Sequence, residues 1–422
     1  MNIFLFYIFL NKIDVRCFHG IIGTARGGII MKYNFNDIVQ RKGSGSMKWE
    51  RPYILKRFNV DIPDHEDMYP MFIADMDFHL PTEVLSHMHE KYLDPDFGYF
   101  HIQDSFYESV VDWFLEKHHM KIEKDWIIPS TGTVTSLHFI CDMIARDQNI
   151  LTMTPIYGPF KNCCEIGHMV TLELDLVDNR CEINFDKLED ILKNKDIKVF
   201  LLCNPHNPGG RSWTKEELKR IVLLCKEYHV LLLSDEIHGD FCLGEHCFTS
   251  MIEFADLYDD LIVSTSANKT FSISGLSTSY MLCKNEKLRQ DYDRYVNRLH
   301  ISCNRMGIEM IELVYRYGKE WHNELIQVIK DNVQVVIDTM NRLDIQVMKP
   351  DAGFLVWVRL DDSIDVEKFI LDLAKETHVL LEPGSRFVEN YQGWLRINVG
   401  TSPILVKEAM ERFEQFYRSY RQ

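Results

Sequence analysis

Short runs of consecutive apolar residues alternate with amphipathic segments through the middle of this chain. The apolar runs predict strands of a sheet that is covered on both faces, and they lie at residues 149–154, 170–176, 197–204, 230–235, 261–266 and 278–284. Amphipathic segments such as 158–167 and 214–228 predict the intervening helices, and the second opens with the capping-box pair Thr214 and Glu217. The alternation predicts an α/β fold with a mostly parallel central sheet and helices on both faces.

The pattern changes after about residue 300, where longer amphipathic segments replace the alternation. The clearest helix and the two strand-like runs of this part are residues 320–343, 353–360 and 394–399. We therefore expect a large domain over residues 86–305 and a smaller α+β domain. The smaller domain would combine the C-terminal segment 306–422 with the N-terminal segment 31–85.

The first 30 residues differ in character from the rest of the chain. An apolar run at residues 3–10 is too short to span a membrane and lacks the positive flank of a secretory signal. The sequence from Met31 onward is typical of an ordinary N-terminus. We therefore expect residues 1–30 to be an upstream extension that is not part of the working protein. The alternative is an anchor to a membrane or to a partner protein.

Composition and charge narrow the classes of function. A chain of 422 residues with 46% hydrophobic and 26% charged residues can bury a large core. The net charge of −16 argues against a general affinity for nucleic acid or for an anionic membrane. The 11 cysteines include no pair at C-x-x-C spacing and no Cys/His cluster at zinc spacing. We expect no metal site, free thiols and a cytoplasmic location.

Four side chains with complementary chemistry occur in a fixed order along the chain. Lys269 lies in a serine-flanked turn, and its amine can form a Schiff base with an aldehyde and then move a proton at a substrate α carbon. Asp235 ends an apolar run and could keep a pyridine nitrogen protonated. Asn207 could donate to a ring hydroxyl oxygen, and Arg396 could bind an amino-acid carboxylate through two parallel hydrogen bonds. Each alone could be a solvated cation or a turn former, but their order and spacing favour a catalytic site.

This set resembles the site of the aminotransferase-like enzymes of fold type I, which use pyridoxal 5'-phosphate (PLP) as cofactor. Residues 130–134 follow an apolar strand and open a helix, so the backbone of Gly132, Thr133 and Val134 could hold the cofactor phosphate. The resemblance implies that the hydroxyl of Ser266, three residues before Lys269, adds a further phosphate contact.

Two aromatic residues also take their roles from the resemblance. Tyr157 matches the catalytic-site aromatic residue that stacks on the pyridine ring of the cofactor, and the alternative is a core aromatic residue. Tyr99 matches a residue that reaches the cofactor phosphate of the neighbouring subunit, and the alternative is simple packing. If Tyr99 has that role, the protein is a homodimer with two shared sites.

Local motifs narrow the resemblance to one branch, the MalY/PatB group of cystathionine β-lyases, also called cysteine-S-conjugate β-lyases. These motifs lie in residues 48–50, 70–78 and 234–240. By this resemblance His238 contacts the cofactor, in a position where typical aminotransferases often have tyrosine, and Asp75 contributes to substrate binding. The chain departs from its own branch at Phe72 and Gly239, which leaves the preferred substrate open.

The same resemblance implies β-elimination from a small-molecule sulfur amino acid such as cystathionine. The substrate amine displaces Lys269 from the cofactor, Lys269 removes the α proton, and a thiolate leaves from the β carbon. Hydrolysis then yields pyruvate and ammonia. Two alternatives stay open. An aminotransferase uses the same first steps, and Lys269, Asp235 and Arg396 do not distinguish it; a regulatory protein could keep the PLP fold and act through a partner transcription factor.

Overall fold

The computed structural model describes residues 25–26, 29–244, 248–389 and 391–421. The predicted upstream extension lies outside these residues, except for the short strands Ala25–Arg26 and Ile29–Ile30, which pair antiparallel. In the part of the chain that is described, no helix is both long and apolar enough to cross a membrane.

Helices and strands alternate along the chain as the apolar pattern predicts. The strands of the two main sheets are β1 (Tyr69–Met71), β2 (Ile127–Ser130), β3 (Asn149–Thr154), β4 (His168–Glu173), β5 (Ile197–Cys203), β6 (Leu231–Asp235), β7 (Leu261–Thr265), β8 (Ser279–Leu282), β9 (Gln346–Val347), β10 (Leu355–Arg359), β11 (Val379–Pro383) and β12 (Trp394–Asn398). The α-helices of the described residues are α1 (Arg51–Phe58), α2 (Thr82–Lys91), α3 (Asp104–His118), α4 (Thr133–Ala145), α5 (Pro159–Cys164), α6 (Phe185–Asn194), α7 (Lys215–Glu227), α8 (Glu286–Arg298), α9 (Arg305–Tyr317), α10 (Lys319–Arg342), α11 (Val366–Thr377) and α12 (Pro403–Tyr420). Helix α7 begins with the predicted capping box between Thr214 and Glu217.

The larger sheet has seven strands in the order β2-β8-β7-β6-β5-β3-β4. Neighbouring strands are parallel from β7 to β4, and β8 runs antiparallel to both β7 and β2. The prediction of a mostly parallel sheet is confirmed. The run predicted as one strand at residues 170–176 is divided between β4 and a separate strand, Asp175–Val177, which pairs antiparallel with Arg180–Glu182.

Helices cover both faces of this sheet. In β5, Val199 and Leu201 pack in one apolar cluster, whereas the alternating residues Phe200 and Leu202 pack in another. Residues of α4 belong to the first cluster and residues of α7 to the second. Because β5 is buried on both sides, it is an unbroken apolar run in the sequence. The predicted α/β class is confirmed.

A second sheet of five strands, in the order β9-β10-β12-β11-β1, joins strands from both ends of the chain. Strand β1 pairs parallel with β11, and this pairing carries the residues after β1 towards the turn that contains Lys269. There the Met76 N–H donates to Ser272 Oγ at 3.0 Å. Helices α11 and α12 pack against each other through Phe369 and Phe413. The predicted domain boundaries stay a prediction.

A largely buried carboxylate, Asp240, links the segment after β6 to two other parts of the chain. Its Oδ1 accepts from Trp113 Nε1 and lies beside His118 Nε2, both at 3.0 Å, and its Oδ2 accepts from Thr270 Oγ1 at 2.6 Å. Burial favours the neutral acid, but His118 outweighs burial and holds the pKa of Asp240 well below its usual range. Asp240 therefore connects helix α3 to Thr270, the neighbour of Lys269.

Replacing Asp240 with asparagine should lower the free energy of unfolding by about 2–4 kcal/mol at pH 7, because three neighbours would share one acceptor oxygen. A carboxylate with a lowered pKa stabilises the fold fully above its unfolded-state pKa of about 4, and the stabilisation is lost as the pH falls through the folded-state pKa. The difference between wild-type and Asp240→Asn protein in urea unfolding should therefore shrink below about pH 4. A difference at about pH 3 as large as that at pH 7 would contradict this role.

Candidate active site

A cavity of about 250 Å³ opens at the carboxyl ends of β5, β6 and β7. In a parallel sheet these ends meet at one edge, which is where ligands bind in open α/β folds. The cavity is lined by Ala74, Thr131, Gly132, Thr133, Val134, Thr135, Tyr157, Phe160, Cys203, Asn207, Asp235, Ile237, His238, Asn268, Lys269, Ser274 and Ser277. It thus unites eight of the residues that the sequence analysis names, from Gly132 to Lys269.

Lys269 follows β7, and its side chain reaches the cavity wall formed by the residues after β1. Its Nζ donates to the backbone oxygen of Ala74. Burial lowers the pKa of Lys269, the charge of Asp75 opposes this shift, and Arg396 adds to it. A lowered pKa increases the fraction of neutral amine, the form that attacks an aldehyde or accepts a proton.

Asp235 is the last residue of β6 and is buried at the cavity floor. Its Oδ1 accepts a hydrogen bond from the Ile237 N–H at 3.1 Å. Burial raises the pKa of Asp235 to about 7, against the effects of this hydrogen bond and of Lys269. Keeping the carboxylate ionised at neutral pH therefore costs free energy, which a cationic N–H partner in the cavity would offset.

Arg396 and Asn207 meet beside the cavity, although they are far apart in sequence. Arg396 Nη1 donates to Asn207 Oδ1 and Nη2 donates to the backbone oxygen of Phe72, both at 3.1 Å. The buried Nε of Arg396 has no hydrogen-bond partner among the described residues. Because the oxygen of the Asn207 amide is bound by Arg396, its nitrogen is left to donate to a ligand.

The N-terminus of α4 forms one wall of the cavity. Gly132 precedes the helix with φ of +124°, a conformation that residues with a side chain rarely adopt. No side chain caps the first turn, so the N–H groups of Thr133, Val134 and Thr135 are not bound by a cap residue. Such an uncapped helix start, with its positive dipole end, suits a phosphate group.

Tyr157 and His238 line the same cavity as neutral groups at physiological pH. The Tyr157 N–H donates to the backbone oxygen of Asn207 at 3.2 Å, which links the two segments that carry these residues. Burial raises the pKa of Tyr157. Burial lowers the pKa of His238 to about 3, with further effects of Lys269 and Arg396.

Four of the predicted site residues do not line this cavity: Arg396, which lies beside it, and Ser266, Asp75 and Tyr99. Ser266 Oγ donates to the backbone oxygen of Thr278 at 2.8 Å, and the Asp75 carboxylate is paired with Arg41. Tyr99 is fully exposed and lies in a separate surface groove. Their predicted contacts stay predictions. In the described part of the chain, no group of His, Cys, Asp and Glu side chains is arranged to hold a metal ion.

A second cavity of about 550 Å³ adjoins the first and shares Ala74, Tyr157 and Lys269 with it. Its lining also includes the buried Arg396, which donates to Asn207, and an outer cluster of Arg57, Glu382 and the 60% exposed Arg386. The sequence analysis missed these three residues, because they lie in none of the motifs. It also missed the cavity residues Asn268 and Ser274, which the serine-rich turn around Lys269 could have indicated.

Comparison with known proteins shows the family of this chain independently of the geometry of the site. The profile of the family described as aminotransferase class I and II matches residues 82–413. The chain is 30% identical over 392 residues to cystathionine beta-lyase PatB of Bacillus subtilis (strain 168), covering 90% of this chain and 99% of that protein.

Two solved structures have the same fold over nearly the whole chain. Cystalysin from Treponema denticola, whose crystal structure contains a pyridoxal 5'-phosphate cofactor, matches with a TM-score of 0.86 and 26% identity, covering 92% of this chain and 100% of that chain. The PLP-bound C-S lyase from Staphylococcus hominis, complexed with L-cycloserine, matches with a TM-score of 0.83 and 28% identity, covering 93% and 100%. These likenesses confirm the resemblance and the fold type I architecture that the motifs predict, and the chain belongs to the aminotransferase class I and II family.

Proposed function

We propose that this chain is a PLP-dependent carbon–sulfur β-lyase, which cleaves cystathionine or a related L-cysteine thioether to pyruvate, ammonia and a thiol. The observation that carries this proposal is that Lys269, Asp235 and Asn207 line one cavity, and that Arg396 donates to Asn207 beside it. Similarity to PatB, named a cystathionine beta-lyase, and to a C-S lyase favours elimination over other PLP chemistry.

The residues of the cavity fit the cofactor group by group. Asp235 is a buried carboxylate that would hold a protonated pyridine nitrogen, and the free amide nitrogen of Asn207 would donate to the ring hydroxyl oxygen. Tyr157 would lie against the ring, and His238 would contact it as a neutral imidazole. The uncapped start of α4 would hold the phosphate.

Two residues outside the cavity complete the proposed phosphate site. We assign the Ser266 hydroxyl to it from one subunit and Tyr99 from the other. The groove that contains Tyr99 is lined in part by Phe97, Phe100 and Met306, an apolar surface suited to contact with a second copy of the chain.

When bound, pyridoxal phosphate supplies an aldehyde that reacts with amines and a ring that accepts the electron pair released at the substrate α carbon. Arg396 orients the substrate by binding its α-carboxylate, with Asp75 nearby at the same wall of the site. The Lys269 amine takes the α proton, which its lowered pKa allows at neutral pH. The Cβ–S electron pair then leaves with sulfur, and the sulfur takes up a proton. Water hydrolyses the remaining three-carbon fragment to pyruvate and ammonia.

We also propose a cytoplasmic location. The free cysteines of the described chain are mostly buried, with Cys203 and Cys283 inside the core around the larger sheet. Unpaired buried thiols are typical of proteins in a reducing compartment.

Lys269→Ala protein should lose the visible absorbance band of the bound cofactor, because among the described residues Lys269 is the one lysine that lines the cavity. Asp235→Asn protein should keep the band but retain the cofactor less tightly on dialysis, because the neutral amide does not stabilise a protonated pyridine nitrogen. Lys161→Ala, which removes an exposed lysine, serves as the control. A normal band and full turnover in Lys269→Ala protein would refute the assignment.

With cystathionine and no added oxo acid, the purified enzyme should release pyruvate, ammonia and thiol in equal amounts through many turnovers. Elimination returns the cofactor to its starting state in each cycle, whereas transamination converts it to the amine and stops until an oxo acid restores it. The measurement is the yield of each product per active site. Turnover that requires 2-oxoglutarate, with no thiol released, would identify the protein as an aminotransferase instead.

Coexpression of Lys269→Ala and Tyr99→Ala chains should restore activity that each variant lacks by itself. If each site combines Lys269 of one subunit with Tyr99 of the other, a hybrid dimer has one intact site, so a random mixture should reach about a quarter of wild-type activity. Light scattering on the same sample gives the oligomeric state. A fully active monomer would rule out the shared site.

A further inference from the structure

The cavity that adjoins the proposed cofactor site carries more positive charge than one substrate carboxylate needs. Its lining includes four cationic side chains and one carboxylate, in a chain whose net charge is −16. The cations are Arg57, Lys269, Arg386 and Arg396, and the carboxylate is Glu382. Lys269 and Arg396 are already assigned to the reaction centre. The additional positive charge therefore comes from Arg57 and Arg386, which lie with Glu382 in the outer cluster.

Glu382 and Arg396 are direct neighbours on adjacent antiparallel strands, β11 and β12. Paired residues of such strands project from the same face, about 5 Å apart. Glu382 nevertheless makes its ion pairs with Arg57 Nη2 at 2.9 Å and with Arg386 Nε at 3.3 Å. The outer cluster is thus held one strand spacing away from the guanidinium that would bind the α-carboxylate.

The two outer arginines differ in how much of their hydrogen-bonding capacity is used. Arg57 Nη2 donates to both oxygens of Glu382, and its Nη1 donates to Tyr53 Oη at 3.3 Å. Both Glu382 oxygens are therefore engaged, which leaves this carboxylate unsuited to a ligand ammonium. Arg386 is 60% exposed, and among the described residues its single recorded partner is Glu382, through Nε. Its two terminal amino groups are free for a ligand.

Tyr157 lies between the inner and outer groups. It lines both cavities, and the charges of Arg396, Asp235, Glu382 and Arg386 all act on its phenol. A substrate whose α-carboxylate is bound by Arg396 and whose α carbon faces Lys269 would extend its sulfur-linked arm past Tyr157 into the outer cavity. The end of that arm would then meet the free edge of Arg386.

We propose that Arg386, held by the Arg57–Glu382 pair, binds a carboxylate at the far end of the leaving-group arm. The preferred substrates would then be L-cysteine thioethers or disulfides that carry a second carboxylate, rather than S-alkyl cysteines with an uncharged arm. This inference rests on the proposed β-lyase function for its substrates, but it also makes a claim about binding that does not require turnover.

The first measurement compares two substrates of the intact holoenzyme, L-cystathionine and S-ethyl-L-cysteine, in wild-type and Arg386→Gln protein. The ratio of KM for cystathionine to KM for S-ethylcysteine should rise about tenfold in the variant, since one partly exposed charge-assisted contact is lost. Arg386→Glu should raise the ratio further by repelling the carboxylate. Arg342→Gln is the matched control, because Arg342 is also a partly exposed arginine paired with a glutamate, Glu414.

The second measurement is binding, by calorimetric titration of the same proteins with two amino acids that have no β leaving group. 2,7-Diaminosuberate has a carboxylate at each end, and norleucine has one carboxylate. Arg386→Gln should raise the ratio of their Kd values about tenfold, as it does the KM ratio. A Kd ratio that is unchanged in Arg386→Gln protein would overturn the proposal. If both ligands bound more weakly by the same factor, Arg386 would act through Arg396. If neither ligand bound more weakly, Arg386 would not contact the carboxylate at all. If the wild type released no thiol from either substrate, the lyase function would fail while the binding ratio still tested Arg386.

Discussion

The parallel, in-register pairing of β5, β6 and β7 is the constraint on which the site depends. Cys203 at the end of β5 pairs with Asp235, and Asp235 pairs with Ser264 near the end of β7. The residues that follow these strands must therefore leave the sheet at the same edge. Asn207 and Lys269 lie in those segments, so the hydrogen bonds of the sheet bring the functional side chains within reach of one ligand.

Burial shifts the pKa values of the ionisable side chains at this edge and favours their neutral forms. Burial lowers the pKa of Lys269 and raises the pKa of Asp235 to about 7, so each group is closer to its neutral form than it would be in water. The same burial lowers the pKa of His238 to about 3, which keeps the imidazole uncharged beside two cations. These shifts prepare the cavity for a ligand that brings both an N–H group and negative charge.

The site also needs residues from the N-terminal part of the chain, which lies outside the larger sheet. The residues after β1 contribute the backbone oxygens of Phe72 and Ala74 to Arg396 and Lys269. Asn398, two residues after Arg396, donates to the backbone oxygen of Asp75 at 2.8 Å. Pairing of β1 with β11 makes this possible, because it carries the N-terminal segment into the smaller sheet. Packing of the two sheets thus determines how the side chains of Arg396 and Lys269 are positioned at the two cavities.

The sequence by itself determined the α/β class, the mostly parallel sheet and the set of residues around Lys269, because strand periodicity and strand-end motifs are local properties. It did not determine that the strand before α8 is antiparallel, since an apolar run has the same pattern in either direction. It also gave no sign of Arg57, Glu382 and Arg386. These three residues are ordinary charged positions in the sequence, and only the pairing of β11 with β12 and the packing of α1 bring them to the mouth of the site. Whether a charge is solvated or faces a ligand depends on contacts between distant segments, and tertiary structure alone decides those contacts.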